Sequence, residues 1–292
     1  MTPMAHPLVT HTAPATPGRR WTTALALGTL TVLLLVAIGA PWLAPYDPTA
    51  QLDLVALKNR APSWSHWLGT DAYARDVLSR ALFGARTSLA VASLSTTIAV
   101  ALGTAWGAGA ASAPPRLAQA MMGLVDVLRS LPRLLLLLGA LVALGTMTPA
   151  VLAVVLGLTS WTGISRLVFM KIRALDAGAF VEGARALGLS RTAVLRRHIA
   201  PHLAAPLGAA APLLLADLLA VESGLSFLGL GVRPPLPSWG NMVQDAVPFL
   251  QSAWWLVAVP CVLIMATVLS ASSVADRLGD TLMFSGRQTE TH

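Results

Sequence analysis

TTALALGTLTVLLLVAIGAPWLA, residues 22–44, carries no charged side chain from end to end. An α-helix rises about 1.5 Å per residue, so roughly 20 apolar residues cross a hydrocarbon layer, and this stretch is long enough. Arg19 and Arg20 precede it, which also matches the start of a secretory signal peptide. The apolar centre of such a signal runs only about 7–15 residues, so the stretch reads as an uncleaved first span. The whole chain agrees. It is 55% hydrophobic and 11% charged with a mean hydropathy of +0.68, whereas a soluble domain is about 25% charged. The predicted fold class is all-α integral membrane.

Six windows are long and apolar enough to cross a bilayer: about 22–44, 87–110, 117–145, 148–169, 203–229 and 252–274. Residues 1–20, rich in Thr, Pro, Ala and His, form a predicted mobile cytoplasmic tail. Residues 21–86 hold the first span and an extracytoplasmic segment, residues 87–280 a five-span core, and 281–292 a second cytoplasmic tail. With the N-terminus inside, eleven Lys and Arg face the cytoplasm and six the other side. Six of the eleven lie in 171–202, close to two spans, which supports the inside assignment of that segment. The net charge of +7 follows from this loop bias. No interleaved basic and aromatic groove suggests nucleic acid. Cys261, the single cysteine, reads as a small packing residue inside a span.

Within the 66–89 stretch, Val77, Leu78, Ala81 and Leu82 make an apolar stripe. Arg75, Asp76, Ser79 and Arg80 occupy the other faces, as in a helix lying at the outer interface. Trp239, Trp254 and Trp255 fit an interfacial aromatic belt.

Charge inside a span is costly, about 2.5–3.5 kcal/mol for a residue at the bilayer centre, so each case needs a reason. Arg129, Arg133 and Arg166 fall within predicted spans, and Pro132 should kink the third. Asp126 is a candidate partner for Arg129 or Arg133. Asp217 and Glu222 lie inside or at the end of the fifth span. Such residues line a pathway or hold helices together through hydrogen bonds, or, for Glu222, simply lie close to headgroups.

The most polar stretch between spans is FVEGARALGLSRTAVLRRHIAP, residues 180–201. Asp176 can cap a helix over 177–187 that Gly188 ends; Ser190 can cap a second over 191–199 that Pro201 stops. Such an amphipathic hairpin suits a lipid surface or another protein's groove. Glu182, Gly183, Ala184, Gly188 and Pro201 resemble the EAA loop of ATP-binding-cassette importer permeases, with Ile199 just before the Pro. Gly183 replaces the usual first Ala of that motif, and Ala200 and His202 stand where Leu and Asn are common.

Two further stretches resemble the dipeptide, oligopeptide and nickel branch of that family. HWLGTDAYARDVLSRALFGARTSL, 66–89, has Ala74 where Gly is usual; ESGLSFLGLGVRPPLPSWGNM, 222–242, follows the fifth span. The resemblance implies a bacterial inner-membrane permease subunit with a coupling loop in 171–202 and both termini cytoplasmic. It further implies a second permease, two ATP-binding subunits that carry ATP and Mg, and an extracytoplasmic substrate-binding protein. Peptides are the implied cargo, with nickel, metal chelates or glutathione-like ligands as alternatives.

The chain itself has no G-x-x-x-x-G-K-[ST] loop: its lysines, Lys58 and Lys171, follow Leu57 and Met170. No nucleophilic triad can be assembled, and the expectation is that the chain is no enzyme. His198 and His202 lack a third ligand, so no metal site is expected. The rival from another class is an ion-driven secondary transporter working through Asp217, Glu222 and Arg129.

Overall fold

The computed structural model describes residues 18–145, 148–177, 193 and 199–288. Eight α-helices carry most of them. They are α1 (Gly18–Leu43), α2 (Val77–Ser112), α3 (Pro115–Ser130), α4 (Arg133–Leu144), α5 (Pro149–Asp176), α6 (Ala200–Phe227), α7 (Trp239–Ala246) and α8 (Trp255–Gln288), with a 3₁₀ turn at Val247–Phe249. Five of them are long and apolar enough to cross a membrane, or six elements if α3 and α4 count together as one broken span.

The differences from the sequence reading have local causes. The third span is not kinked but broken: α3 and α4 meet at 87° across Leu131 and Pro132. Pro cannot donate the helix hydrogen bond and disfavours helical backbone in the residue before it. The second span begins ten residues early, because Asp76 caps it by accepting from the Ser79 backbone N–H at 2.8 Å. The separate interface helix expected there is the first part of α2, and its polar side chains Asp76, Ser79 and Arg80 are buried, as is the adjoining Arg75. Pro201 lies in the first turn of α6, a position where its missing N–H has no helical partner to lose. Asp176 is the last residue of α5, and the two helices expected over 177–187 and 191–199 lie largely outside the described residues. Trp239 is fully buried, its indole N–H donating to the Ala81 carbonyl at 3.1 Å, so it belongs to the core and not to an interfacial belt.

Ala74, where Gly is usual in the resembling family, has φ +56° and is fully buried. This left-handed backbone costs an L-residue roughly 1–2 kcal/mol, which is why glycine suits the position.

α2 is the hub, packed on α5 along most of its length and on α1 and α6 on other faces. Glycines set the approach to α5. A Cβ at Gly103 would stand 2.6 Å from the Trp161 carbonyl, one at Gly107 2.4 Å from the Ser165 carbonyl, and one at Gly157 2.7 Å from Ile98 Cβ. With no hydrophobic drive between helices in lipid, this backbone approach supplies the packing that joins the pair.

Gly107→Ala should therefore destabilise the chain by about 1–3 kcal/mol through overpacking. Gly109→Ala, whose Cβ meets nothing nearer than Met121 Cε at 3.7 Å, should not. Thermal unfolding of the two purified variants side by side checks this; equal melting temperatures would refute the close-approach account.

Candidate functional site

The chain places its charged and polar groups in two settings. One is sealed, at the end of the bundle where residues 44–76 and 228–254 cover the start of α2. There Arg75 donates to Asp71 at 2.6 Å and to Asp245 of α7 at 2.7 Å, and Arg80 lies 3.5 Å from both carboxylates. His66 Nδ1 meets Asp76 at 2.9 Å, and the same carboxylate accepts the Ser79 hydroxyl at 2.8 Å. Four charged groups thus tie α7 to the start of α2 across 170 residues of sequence.

Glu222 belongs to this sealed setting. Its side chain is fully buried, and it accepts the hydroxyls of Ser226 at 2.8 Å and Ser223 at 3.3 Å, with Ser88 of α2 and Ser238 at the α7 cap beside it. Three of these hydroxyls accept in turn, from the backbone N–H groups of Val232 (to Ser226), Trp239 (to Ser88) and Asn241 (to Ser238). Glu222 therefore joins α2, α6 and the 228–238 loop. Gly231 and Gly240 allow this: a Cβ at either would lie within 2.3 Å of Ser226 or Ser223 atoms.

The other setting is open. Arg133, at the start of α4, donates to Asp217 of α6 at 2.6 Å and to Ser160 of α5 at 2.9 Å. Arg166 of α5 pairs with Asp126 of α3. This corrects the expected partnership of Asp126 with Arg129 or Arg133: the break at Pro132 turns Arg133 toward α6, and Arg166 takes the acid. The side chains are 30% and 51% exposed in the first pair, and 43% and 55% in the second. Arg129 is exposed beside Gly163 of α5, 3.9 Å from where a Cβ there would be. Below the second pair, a groove of about 460 Å³ opens between α3 and α5, lined by Gln119, Met122, Asp126, Arg166, Phe169 and Arg173 among others.

The coupling-loop residues Glu182, Gly183, Ala184 and Gly188 lie outside the described residues, as does His198. Ile199 is buried against Ala111, Ile172 and Leu203, and Pro201 is exposed on α6. Among the described residues no group of three or more His, Cys, Asp and Glu gathers around a point. The sequence reading did not single out Ser160, Ser88, Ser238 or Asp245. A lone Ser within an apolar helix gives no signal, and a partner as distant as Asp245 is from Arg75, 170 residues along the chain, is invisible to periodicity.

Glu222→Ala leaves the buried Ser223 and Ser226 hydroxyls without their acceptor, each costing up to about 1–3 kcal/mol before any re-pairing with helix carbonyls. The expected outcome is a lower melting temperature and faster proteolysis within 228–254, with Glu222→Gln intermediate. An unchanged melting temperature for the Ala variant would remove Glu222 from its structural role.

Known proteins agree with this architecture. Residues 83–282 match the family described as binding-protein-dependent transport system inner membrane component, and residues 19–62 match the N-terminal TM domain of oligopeptide transport permease C. A di/tripeptide transport system permease protein, DppC, of Pseudomonas aeruginosa is 34% identical over 268 residues, 88% of this chain and 87% of that protein. A putative peptide permease of Brucella suis is 36% identical, covering 86% and 83%. The glutathione transport system permease GsiD of Escherichia coli is 34% identical, covering 86% and 82%. The fold is similar to an inward-facing MetNI methionine ABC transporter chain, with a TM-score of 0.56, 20% identity, and coverage of 70% of this chain and 96% of that one. The matched residues and the relatives together place this chain in the family of inner-membrane permease components of binding-protein-dependent ABC transporters.

Proposed function

We propose that this chain is one of two permease subunits of an ATP-driven importer that carries peptides across the bacterial inner membrane. The observation that carries the reading is the open ion-paired face. Arg166 and Asp217 lie well inside the long apolar helices α5 and α6 and pair with Asp126 of α3 and Arg133 at the start of α4, yet all four side chains are substantially exposed. Charge there has no place against lipid, so a second subunit and a water-filled path cover it. Elsewhere the helices show lipid-facing side chains such as Leu35 and Ile38 of α1 and Met265 and Leu269 of α8. Peptides as cargo follow from the relatives named for dipeptides, tripeptides and glutathione.

In this reading the sealed end faces outward and receives the substrate-binding protein, and both termini are cytoplasmic. The loop within 171–202 docks two ATP-binding subunits, where ATP and Mg are held, with Glu182, Gly183, Ala184, Gly188, Ile199 and Pro201 as its contact positions. Movement entering there reaches the ends of α5 and α6 directly. Ile172, Ile199, Leu203 and Ala111 pack in one cluster, so α5, α6 and α2 shift together. A rigid-body rocking of this block around a central path alternates access.

Glu182→Ala, Glu182→Lys and Gly188→Leu should each reduce ATPase co-purification and ATP-dependent peptide uptake by roughly tenfold, equal to about 1.4 kcal/mol of docking free energy. Both measurements staying at wild-type level would overturn the docking role. Uptake that survives ATP depletion and collapses with the ion gradient would instead establish the ion-driven mechanism.

A further inference from the structure

Between the two ion pairs stands a third arginine whose charge no described residue balances. Arg129, in the last turn of α3, is exposed and makes no hydrogen bond or ion pair among the described residues. It faces Gly163, which lies three residues after Ser160 and three before Arg166 on α5. Steps of three keep these positions on one side of a helix, about 4.5 Å apart along its axis. One face of α5 therefore passes in order the Arg133–Asp217 pair, Arg129, and the Arg166–Asp126 pair. Three guanidinium groups against two carboxylates leave one net positive charge near mid-span.

Resting on the permease reading, we propose that Arg129 anchors the carboxylate of a short peptide in transit, while Asp217 or Asp126 receives its ammonium end. Guanidinium and carboxylate match as a two-pronged pair, and at low dielectric such a bond is strong. The spacing fits the ligand. An extended chain reaches at most about 7 Å for two residues and about 10 Å for three, enough to bridge from Arg129 to an aspartate one step along α5. Both aspartates already hold an arginine, so an arriving ammonium shares a carboxylate and no lone charge is created in the span. Gly163 keeps the space in front of Arg129 clear: a Cβ there would meet only the Arg129 Nη1 at 3.9 Å.

The same opening supplies the test. In the transporter purified with its partner subunits and reconstituted into lipid, Gly163→Cys on a Cys261→Ser background leaves one thiol in this chain, since Cys261 is its single cysteine. That thiol should react about tenfold faster with a sulfonate-bearing methanethiosulfonate than with a trimethylammonium-bearing one, because a local field of one sign concentrates the opposite ion. Trialanine and N-acetyltrialanine should slow the reaction, and trialanine amide should not. Arg129→Gln should abolish both the charge preference and the protection, and Arg129→Lys should restore the preference. Reaction without charge preference, equal protection by the amide, or protection that survives Arg129→Gln would each overturn the anchor and leave the path intact. No reaction in the assembled transporter, with reaction once the chain is separated in detergent, would show a face sealed by a neighbouring subunit and overturn the pathway reading as well.

Discussion

A charge carried into the hydrocarbon layer has to find its counter-charge inside the protein, and this constraint decides where the helices of this chain meet. It is answered in two ways. At the end built by 44–76 and 228–254, each buried charge is enclosed: Arg75 and Arg80 between Asp71 and Asp245, His66 against Asp76, Glu222 among four serine hydroxyls. On the α3–α6 face the pairs are closed in charge but open in space. Enclosure serves architecture, because a fully satisfied group has nothing left to offer a ligand. Open pairing serves passage, because a neutral pair can exist near a path and still exchange partners.

The hub arrangement follows from a second consequence of the same solvent. Lipid gives apolar helices no reason to associate, so association depends on close contact and hydrogen bonds. Gly103, Gly107 and Gly157 let α2 and α5 approach until backbone meets side chain. Contacts that close do not slide, and so α2 and α5 form one rigid element. Everything that moves has to move relative to that element: α3 and α4 on one side, or the whole block against its neighbour.

Hydropathy made the spans legible, since a run of uncharged residues as long as 22–44 has few other uses. Their ends were less legible. α2 has 36 residues, about 54 Å of helix, well beyond the hydrocarbon thickness, so its first turns are polar and buried by protein, not by lipid. Amphipathicity there was read as an interface helix because the pattern is the same whether the polar face meets water or Asp245. Pro201 sits in the first turn of α6; proline is tolerated both there and just past a helix end, so the residue alone does not tell the two apart. The charged residues of the open face were legible as exceptional, but their pairing was not. Arg133 and Asp217 are 84 residues apart, Arg166 and Asp126 forty.

The break at Pro132 explains why those pairings are the ones formed. In a continuous helix, Arg129 and Arg133 would be one turn apart on a single face, repelling each other and competing for Asp126 three residues before the first. Turning the chain by 87° sends Arg133 to α6 and leaves Arg129 facing α5. Asp126 is then taken by Arg166, whose position less than two turns from Ser160 brings both pairs to α5. One proline thus converts a local cluster of like charges into a sequence of separated stations along a helix. The backbone groups freed at such a break are tolerated at membrane depth only where protein or a water-filled cavity surrounds them. The broken helix and the exposed ion pairs therefore ask for the same surroundings, and they lie on the same face.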